Sequence, residues 1–207
     1  EISKKLLDSK FRPIDHEDMD FINKIYSVPH QALGKCKHVT GLVTGDDDRF
    51  LLDEPTANAY PIITGKSIKP YKIENVKYIK YDEVKHLLAY DPGYDMFNVQ
   101  EKLIYHTISM TLDFAIDTDS RLTTNNANFF IVEGFPIRAK CMMGILNSKV
   151  YNRLNKLLFG DKTNRVNNIK LLPIPILNEE QQAKMERYVD EERYDEIERM
   201  LAEIFQL

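Results

Sequence analysis

The sequence "MMGILNSKVYNRLNKLLFGDKTNRVNNIKLLPIPIL", from Met142 to Leu177, contains the features that decide how this protein folds. Its first half has apolar residues at helical spacing. The range from Pro136 to Phe159 is therefore predicted to be helical, with a core-facing stripe of Leu146, Val150, Leu154 and Leu157. A basic, asparagine-rich stretch follows and ends at two prolines. Because proline disfavours helix in the residue before it, Pro173 and Pro175 predict an extended exit.

Short apolar runs, separated by glycine and proline, predict strands over much of the remaining chain. These runs lie in Lys37–Leu52, Tyr60–Ile73, Lys77–Val84, Glu101–Asp117 and Asn126–Gly134. A short helix is predicted around Asp18–Tyr26, and Asn178 is predicted to cap a C-terminal helix. The predicted fold is mixed α/β, of the α+β type: a twisted, β-rich domain with packed helices and a C-terminal helical segment.

The 207 residues are enough for one domain with an appendage. We predict a division at Leu177, with residues 1–177 as the body and 178–207 as a helical appendage that packs on it. The two cysteines, Cys36 and Cys141, do not suggest a disulfide framework and favour a reducing cytoplasm. No apolar run approaches the roughly 20 residues of a membrane span, so no membrane association is expected. Since no initiator methionine begins the sequence, we expect a fragment of a longer polypeptide.

The net charge of −4 is unevenly distributed along the chain. Residues 178–207 contain ten acidic and four basic residues, so the preceding residues have a net charge of +2. Arg138–Lys170 contains eight basic residues and a single acidic one, Asp161, and Lys66–Lys80 contains five lysines and Glu74. Because salt screens charges beyond about 10 Å, phosphate binding depends on such local clusters. The acidic pI therefore does not exclude nucleic acid, and solvated loops are the alternative explanation of these lysines.

Candidates for catalysis are weak. His30, Cys36 and His38 lack a second close pair of zinc ligands, and a structural role is favoured for them. The run Asp46–Asp48 resembles an acidic turn between strands more than a metal-dependent nuclease site. The sequence has no phosphate-binding loop, no dinucleotide fingerprint and no nucleophile elbow. We therefore expect that the chain catalyses no reaction by itself.

Several segments, in this order, resemble the C-terminal specificity (target recognition) domain of TaqI-like type II restriction–modification methyltransferases. The most telling pair is "GILNSKVYNRLNKLL" with "NIKLLPIPIL", which resembles the asparagine–serine helix and Leu-Pro-x-Pro exit of that family. The resemblance spans about residues 37–207, and the other segments are "VTGLVTGDDDRFLL", "PIITGKSIKPYKI", "KLIYHTISMTLDFAID", "LTTNNANFFIV" and "DEIERMLAEIFQL". In "SIKPY", Pro70 stands where the family often has a basic residue, which weakens a base-reading role for Lys69 and Tyr71.

This resemblance implies a module that recognises double-stranded DNA in a bacterial or archaeal cytoplasm. The sequence contains neither an NPPY-type motif nor a glycine-rich cofactor loop. S-adenosylmethionine is therefore expected in a separate N-terminal methyltransferase domain of the parent polypeptide, which in this family methylates a flipped adenine. No cofactor or metal is expected in this chain, and a fused endonuclease is a further option for the parent protein.

Basic and amide side chains in the two clusters are the predicted DNA contacts, since lysine and arginine suit phosphate oxygens and asparagine suits base edges. They are Lys66, Lys69, Lys72, Asn147, Lys149, Arg153, Lys156, Lys162, Asn164, Arg165, Asn167 and Asn168. Structural alternatives are capping for Asn147 with Ser148, and simple solvation for Arg153 and Lys156.

Three other functions stay open at this stage. The first is one half of a type I restriction specificity subunit, whose long spacer helices are not evident in this sequence. The second is a metal-dependent nuclease that uses Asp46–Asp48. The third is a protein–protein adaptor that binds through the apolar stripe of the C-terminal helices.

Overall fold

The structure is a computed structural model, and it describes residues 15–160 and 163–207. The predicted mixed α/β fold is confirmed, with several small sheets and C-terminal helices. The chain divides into two compact units. Unit 1 comprises the described residues up to Lys35, the segment Met110–Leu112 and the described residues from Pro136 onward; unit 2 comprises Cys36–Ser109 and Asp113–Phe135.

Unit 1 is mainly helical. Its elements are α1 (His16–Ser27), β1 (His30–Ala32), α4 (Ala139–Asn147), α5 (Lys149–Phe159), α6 (Val166–Ile169), β12 (Pro173–Pro175), α7 (Glu179–Asp190) and α8 (Tyr194–Phe205). The central helix α4 packs against α5, α7 and α8, and its side chains Met142, Ile145 and Leu146 are fully buried. Burial of such apolar side chains contributes about 1.5–3 kcal/mol each, so these contacts are the main stabilising force of the unit.

Unit 2 is built from short strands with a few helical turns. Its elements are β2 (Lys37–Val39), α2 (Asp47–Phe50), β3 (Leu51–Leu52), β4 (Tyr60–Ile63), β5 (Ile68–Lys69), β6 (Lys72–Ile73), β7 (Lys77–Ile79), α3 (Tyr81–Val84), β8 (Lys102–His106), β9 (Phe114–Asp117), β10 (Leu122–Thr123) and β11 (Ala127–Ile131). Two four-stranded sheets have the orders β10-β4-β7-β3 and β2-β11-β8-β9, and β5 pairs with β6. A core that includes Ile62, Ile104 and Phe129 unites their buried faces.

The range predicted as one helix, Pro136–Phe159, is two helices that meet at Ser148. The Ser148 hydroxyl donates to Ile145 O (2.6 Å) and accepts from the Tyr151 N–H (3.1 Å), so this one residue ends α4 and caps α5. The break changes the buried face of α5. Of the predicted stripe, Leu146 and Leu154 are buried whereas Val150 and Leu157 are half-buried; the other buried positions of α5 are Tyr151, Asn155 and Leu158.

The extended segment that contains Pro173 and Pro175 is strand β12, and its pairing with β1 explains why prolines are tolerated there. β12 is antiparallel to β1, with Pro173 opposite Ala32 and Pro175 opposite His30. The Leu33 N–H donates to Leu172 O (2.9 Å) and the Ile176 N–H donates to Pro29 O (2.8 Å). The two prolines therefore lie at alternate positions of β12, where the hydrogen-bond ladder between β1 and β12 requires no backbone N–H donor. The extended exit is confirmed, but the preceding "VNNI" is the short helix α6.

Two other local predictions need correction. The strand predicted over Lys77–Val84 ends at Ile79, and Tyr81–Val84 forms α3. The acidic turn predicted at Asp46–Asp48 is the N-terminus of the short helix α2. Asp46 is the N-cap, and its carboxylate accepts from the Arg49 N–H at 3.1 Å. At α2 the carboxylate cap explains the difference, since an aspartate side chain that accepts from a nearby backbone N–H favours the start of a helix.

The last thirty residues form two helices within unit 1. Asn178 caps α7 in a reciprocal capping box with Gln181, as predicted from the asparagine and the following glutamates. Met185 and Val189 of α7, and Ile197 and Leu201 of α8, are buried. The functional division at Leu177 stays a prediction. Among the described residues, no helix has the length and apolar composition needed to cross a membrane.

Candidate nucleic-acid interface

The first lysine cluster lies in unit 2, on a single turn of 3-10 helix and the hairpin after it. Lys66 belongs to the turn Gly65–Ser67 and its side chain is exposed. The turn is closely packed because the His106 ring and Asn126 O lie only 2.5–2.7 Å from where a Cβ of residue 65 would be. Only glycine permits this approach, which fixes Lys66 beside the end of β8.

Lys66 lines a cleft of about 450 Å³ in unit 2. The cleft has a mixed polar and apolar lining, and its other lining residues include Asp47, Asp48, Asp53, Lys77, His106, Asn126, Leu51 and Ile108. Asp53 forms an ion pair with Lys77, and Asp47 accepts a hydrogen bond from Thr44. Burial lowers the pKa of His106, and nearby Lys69 lowers it further although Asp113 opposes both effects. The neutral ring therefore offers one donor and one acceptor at pH 7.

Lys69 and Lys72 lie opposite each other on the hairpin formed by β5 and β6. Both side chains are exposed. Lys72 forms an ion pair with Glu74 at 2.6 Å, and this hydrogen bond lowers the pKa of the Glu74 carboxyl group. The three predicted lysines Lys66, Lys69 and Lys72 lie within seven consecutive residues, and in unit 2 they occupy one helical turn and the hairpin that follows it.

The remaining predicted contacts lie in unit 1, where several have structural partners. Asn147 ends α4, and its carbonyl accepts from the side-chain amide of Asn152 at 3.3 Å. Lys149 begins α5, and its backbone N–H donates to Glu198 at 2.7 Å. Asn152 also binds Ser148 O (3.0 Å) and accepts from the Leu112 N–H (2.8 Å). The predicted capping role of this segment is thereby confirmed for Ser148, and sequence inspection missed Asn152.

Arg153 is engaged by α1. Its guanidinium lies 2.8 Å from Asp18 and 3.5 Å from Glu17, and it stacks 4.4 Å from the centre of the Phe21 ring. The hydrogen bond to Asp18 is the main reason that the pKa of Arg153 is raised. This geometry favours a structural role for Arg153.

Acidic residues of α7 neutralise part of the basic stretch Arg138–Lys170. Arg138 forms ion pairs with Glu179 (2.6 Å) and Glu186 (3.1 Å), and Lys140 forms one with Asp190 (2.7 Å). With Arg153, at least three of the eight basic residues counted in the sequence form ion pairs, within the described part of the chain, with acidic residues that are distant in sequence. The excess positive charge read from Arg138–Lys170 is therefore smaller in the folded unit than in the sequence.

Asn164 does not lie on the surface as predicted. Only 2% of it is exposed. Its amide donates to Thr111 O (2.7 Å), and its carbonyl oxygen lies 3.4 Å from the buried Asn155 amide. A buried amide needs such partners, so contact with DNA would require that Asn164 give them up.

Four predicted contacts in this region are at least partly exposed. Lys156 is exposed on α5, Arg165 is exposed at the N-cap of α6, Asn167 is exposed in α6, and Asn168 is half-buried there. The segment is ordered by hydrogen bonds from the Asn168 and Ile169 N–H groups to Arg165 O, at 2.9 and 3.0 Å. Lys162 lies outside the described residues.

The candidate metal ligands have structural partners instead. His30 is hydrogen-bonded to Val28 O (2.7 Å), and His38 to the Tyr105 hydroxyl (3.1 Å). Burial raises the pKa of the Cys36 thiol to about 11, which disfavours the thiolate that binds zinc. Within residues 15–160 and 163–207, no group of three or more His, Cys, Asp or Glu side chains is arranged to hold a metal ion.

Comparison with solved structures shows the fold. A chain of a type I R-M system, studied for its complex assembly and conformational transition, matches 92% of this chain with a TM-score of 0.50 and 12% identity. The HsdS subunit from Thermoanaerobacter tengcongensis matches 91% of this chain with a TM-score of 0.47 and 11% identity. The matches cover 50% and 48% of those chains, so this chain spans about half their length.

Comparison by sequence shows the family. No curated protein matches the chain significantly. The sequence model of the TaqI-like C-terminal specificity domain matches residues 60–176, which is more than half of the chain. This range includes the lysine hairpin of unit 2 and the helices α4, α5 and α6 of unit 1. The chain therefore belongs to the family of TaqI-like C-terminal specificity domains, the target recognition modules of restriction–modification systems.

Proposed function

We propose that this chain recognises a short sequence in double-stranded DNA and positions a separate catalytic domain on it. That domain is an S-adenosylmethionine-dependent adenine methyltransferase, which precedes this chain in the same polypeptide in the cytoplasm of a bacterium or archaeon. The observation that carries the proposal is the family match over residues 60–176. This chain itself supplies recognition, and the cofactor and the methyl transfer belong to the other domain.

Exposed cations supply most of the affinity in this proposal. Lys66, Lys69 and Lys72 in unit 2, and Lys149, Lys156 and Arg165 in unit 1, have exposed side chains. Each phosphate contact releases counterions, so the affinity falls steeply as salt increases, with a log–log slope of about −0.9 per contact. Arg153 and Asn164 support the site from within unit 1 rather than touch the DNA.

Asparagines on α6 supply sequence selectivity. Asn167 is exposed on this short helix, and Asn168 is beside it. An asparagine amide forms a bidentate pair with the adenine N6 and N7 atoms, and a good pair discriminates against a wrong base by about 1–3 kcal/mol. The acidic helices α7 and α8 face away from the duplex in this arrangement, because their net charge would repel phosphate.

Selection from random duplexes tests the proposal. The 207-residue chain is expected to enrich one short motif, and its affinity for that motif should fall as salt rises. Arg165→Glu should weaken binding to all duplexes equally, whereas Asn167→Ala should broaden the enriched motif. Arg199→Glu is the matched control, because Arg199 is also exposed but lies on acidic α8. Failure to enrich any motif, with binding that salt does not change, would refute the proposal.

A second candidate is one half of a type I specificity subunit. It is favoured by the fold match to a chain of a type I R-M system, of which this chain covers 50%. In this case the catalytic partner is a separate subunit rather than a domain of the same polypeptide. Co-expression with methylation subunits distinguishes the two: a stable complex favours the type I assembly, whereas methylation by the parent polypeptide alone favours the first proposal.

A further inference from the structure

The cleft of about 450 Å³ in unit 2 combines charged, polar and apolar side chains. Its lining includes three aspartates, two lysines, Asn126 and the apolar residues Leu51 and Ile108. Ile108 is 60% exposed on the loop after β8, and Leu51 is half-buried in β3. Ligand sites in proteins usually combine a few polar groups with apolar side chains, which exclude water when the ligand covers them.

Two of the three aspartates in the cleft have partners within unit 2. Asp47 accepts a hydrogen bond from the Thr44 hydroxyl, and Asp53 forms an ion pair with Lys77. The third, Asp48, has an exposed side chain with no hydrogen bond or ion pair to another residue that the structure describes. A carboxylate accepts hydrogen bonds and donates none, so Asp48 offers an acceptor to a ligand.

Lys66 lines the same cleft on the closely packed turn Gly65–Ser67. A Cβ at residue 65 would lie 2.5 Å from the His106 ring and 2.7 Å from Asn126 O, so the turn is fixed against the end of β8 and the start of β11. The Lys66 side chain is exposed and has no ion pair within residues 15–160 and 163–207. Since lysine suits phosphate oxygens, a phosphate at Lys66 would bring the neighbouring base pair towards the cleft.

A carboxylate at a DNA interface is unfavourable unless a base donates a hydrogen bond to it. Phosphate oxygens repel it, and the guanine O6 and N7 atoms and the thymine O4 atom are acceptors themselves. In the major groove the usual donor to a carboxylate is the N4 amino group of cytosine. A carboxylate that faced another base would be left unpaired, which is costly where Leu51 and Ile108 exclude water.

We propose that Asp48 reads a cytosine in the major groove, with its carboxylate accepting a hydrogen bond from the N4 amino group. Lys66 contacts a phosphate beside this base pair and offsets the negative charge of Asp48. Leu51 and Ile108 keep water from the hydrogen bond, so a base that cannot donate at this position is rejected. This inference rests on the proposed function and adds a base-reading site in unit 2 to the asparagines of α6.

The test measures how tightly the 207-residue chain binds the duplex that it selects and an unrelated duplex of the same length. Asp48→Ala should lower the affinity for the selected duplex by roughly fivefold to a hundredfold, as expected for one lost base contact. The affinity for the unrelated duplex should not fall, because the variant loses a charge that phosphate repels.

Repeated selection identifies the base that Asp48 reads. Asp48→Ala should enrich the same motif with one cytosine made degenerate. Asp48→Asn should admit adenine at that position, because asparagine pairs with the adenine N6 and N7 atoms. Since the Asp48 side chain has no partner within the described residues, Tm should stay near that of the wild type in both variants. A large loss of Tm in both would show a structural role and overturn the inference.

A duplex in which that cytosine lacks its N4 amino group isolates the hydrogen bond. The wild-type chain should bind it as weakly as Asp48→Ala binds the intact duplex, whereas Asp48→Ala should bind the two duplexes about equally. Glu133→Ala is the matched control: Glu133 is also exposed in unit 2 but follows the end of β11, whereas Asn126 at the cleft precedes its start. It should change neither the motif nor the affinity.

The outcomes separate this inference from the function itself. If the wild-type chain enriches a motif that Asp48→Ala enriches unchanged and binds as tightly, the inference is wrong and the proposed function stands. The same conclusion follows if Asp48→Ala weakens both duplexes by one factor, or if the base made degenerate is not a cytosine. If the wild-type chain enriches no motif and salt does not change its binding, both are wrong.

Discussion

Arg153 on α5 and Asp18 on α1 form an ion pair at 2.8 Å, with the Arg153 guanidinium stacked over Phe21. In the sequence, Arg153 belongs to a basic stretch with almost no acidic residues, so we predicted that it would contact a DNA phosphate. In the folded unit its partners come from a helix 135 residues away along the chain. Local charge in the sequence therefore overestimates the positive field that α5 presents.

The first prediction concerns this pair. Arg153→Ala should lower the free energy of unfolding by about 1 kcal/mol, because a largely exposed ion pair and one cation–π contact are lost. The salt slope of DNA binding should not change, since Arg153 supports α1 rather than phosphate. Chemical denaturation and salt titration measure the two effects. A slope reduced by about 0.9 would show that Arg153 does contact DNA.

The second prediction concerns the joint between α4 and α5. Ser148→Ala removes the cap that accepts from the Tyr151 N–H and the hydrogen bond to Ile145 O. Because Ser148 is 1% exposed, water cannot replace these bonds. The free energy of unfolding should fall by about 1–2 kcal/mol. Ser148→Thr, which keeps a hydroxyl, is the control for the lost hydrogen bonds, and urea denaturation of both variants provides the measurement.

The third prediction contrasts two glycines. A Cβ at Gly41 would lie 2.3 Å from Thr124 O and 2.5 Å from Thr123 Oγ1, so backbone would have to move. A Cβ at Gly45 would meet nothing within 4 Å, but φ there is +77°. Gly41→Ala should therefore destabilise the chain by more than about 3 kcal/mol, and Gly45→Ala by only about 1 kcal/mol. Equal losses in thermal unfolding would contradict the close approach at Gly41.

The fourth prediction concerns pH. Burial raises the pKa of Cys36 to about 11 and that of Cys141 to about 12, so both thiols stay protonated in the folded chain at pH 9. In the unfolded chain the two thiols ionise at about pH 8.5. The folded state then binds more protons than the unfolded state, and the free energy of unfolding should fall as pH rises above about 8.5.

Thiol alkylation at pH 8 provides the measurement for this fourth prediction. Cys36 and Cys141 should react slowly in the folded chain and rapidly in denaturant, because the thiolate is the reactive form. Replacement of both by alanine should flatten the loss of stability in the alkaline range. A rapid reaction of either thiol in the folded chain would show that its burial is not maintained in solution.

Helix ends and strands were predictable wherever a local signal was sufficient. Asn178 with the glutamates after it predicted the start of α7, and the β-branched run of Glu101–Asp117 predicted β8 and β9. The prolines at 173 and 175 predicted an extended segment. These features depend on dihedral preferences and caps within a few residues, and such information is contained in the chain itself.

The candidate site was less predictable, because exposure depends on partners that are distant in sequence. Asn164 was expected on a loop and is buried against Thr111, and Arg153 was expected at phosphate and lies against Asp18. Tyr71 was discounted because of Pro70, but its positive φ is a property of the folded hairpin. No pattern within a short window distinguishes these outcomes.

The sequence by itself therefore determined the fold class, the capped start of the C-terminal helical segment and the family. The tertiary structure alone decided which polar groups are available to a ligand. Lys102 and Asp117 illustrate the reason: both are fully buried and lie 2.8 Å apart across β8 and β9. A buried charge is tolerated only when the fold supplies an opposite charge and hydrogen bonds, and that pairing is created when the two strands pair and the rest of the core covers them.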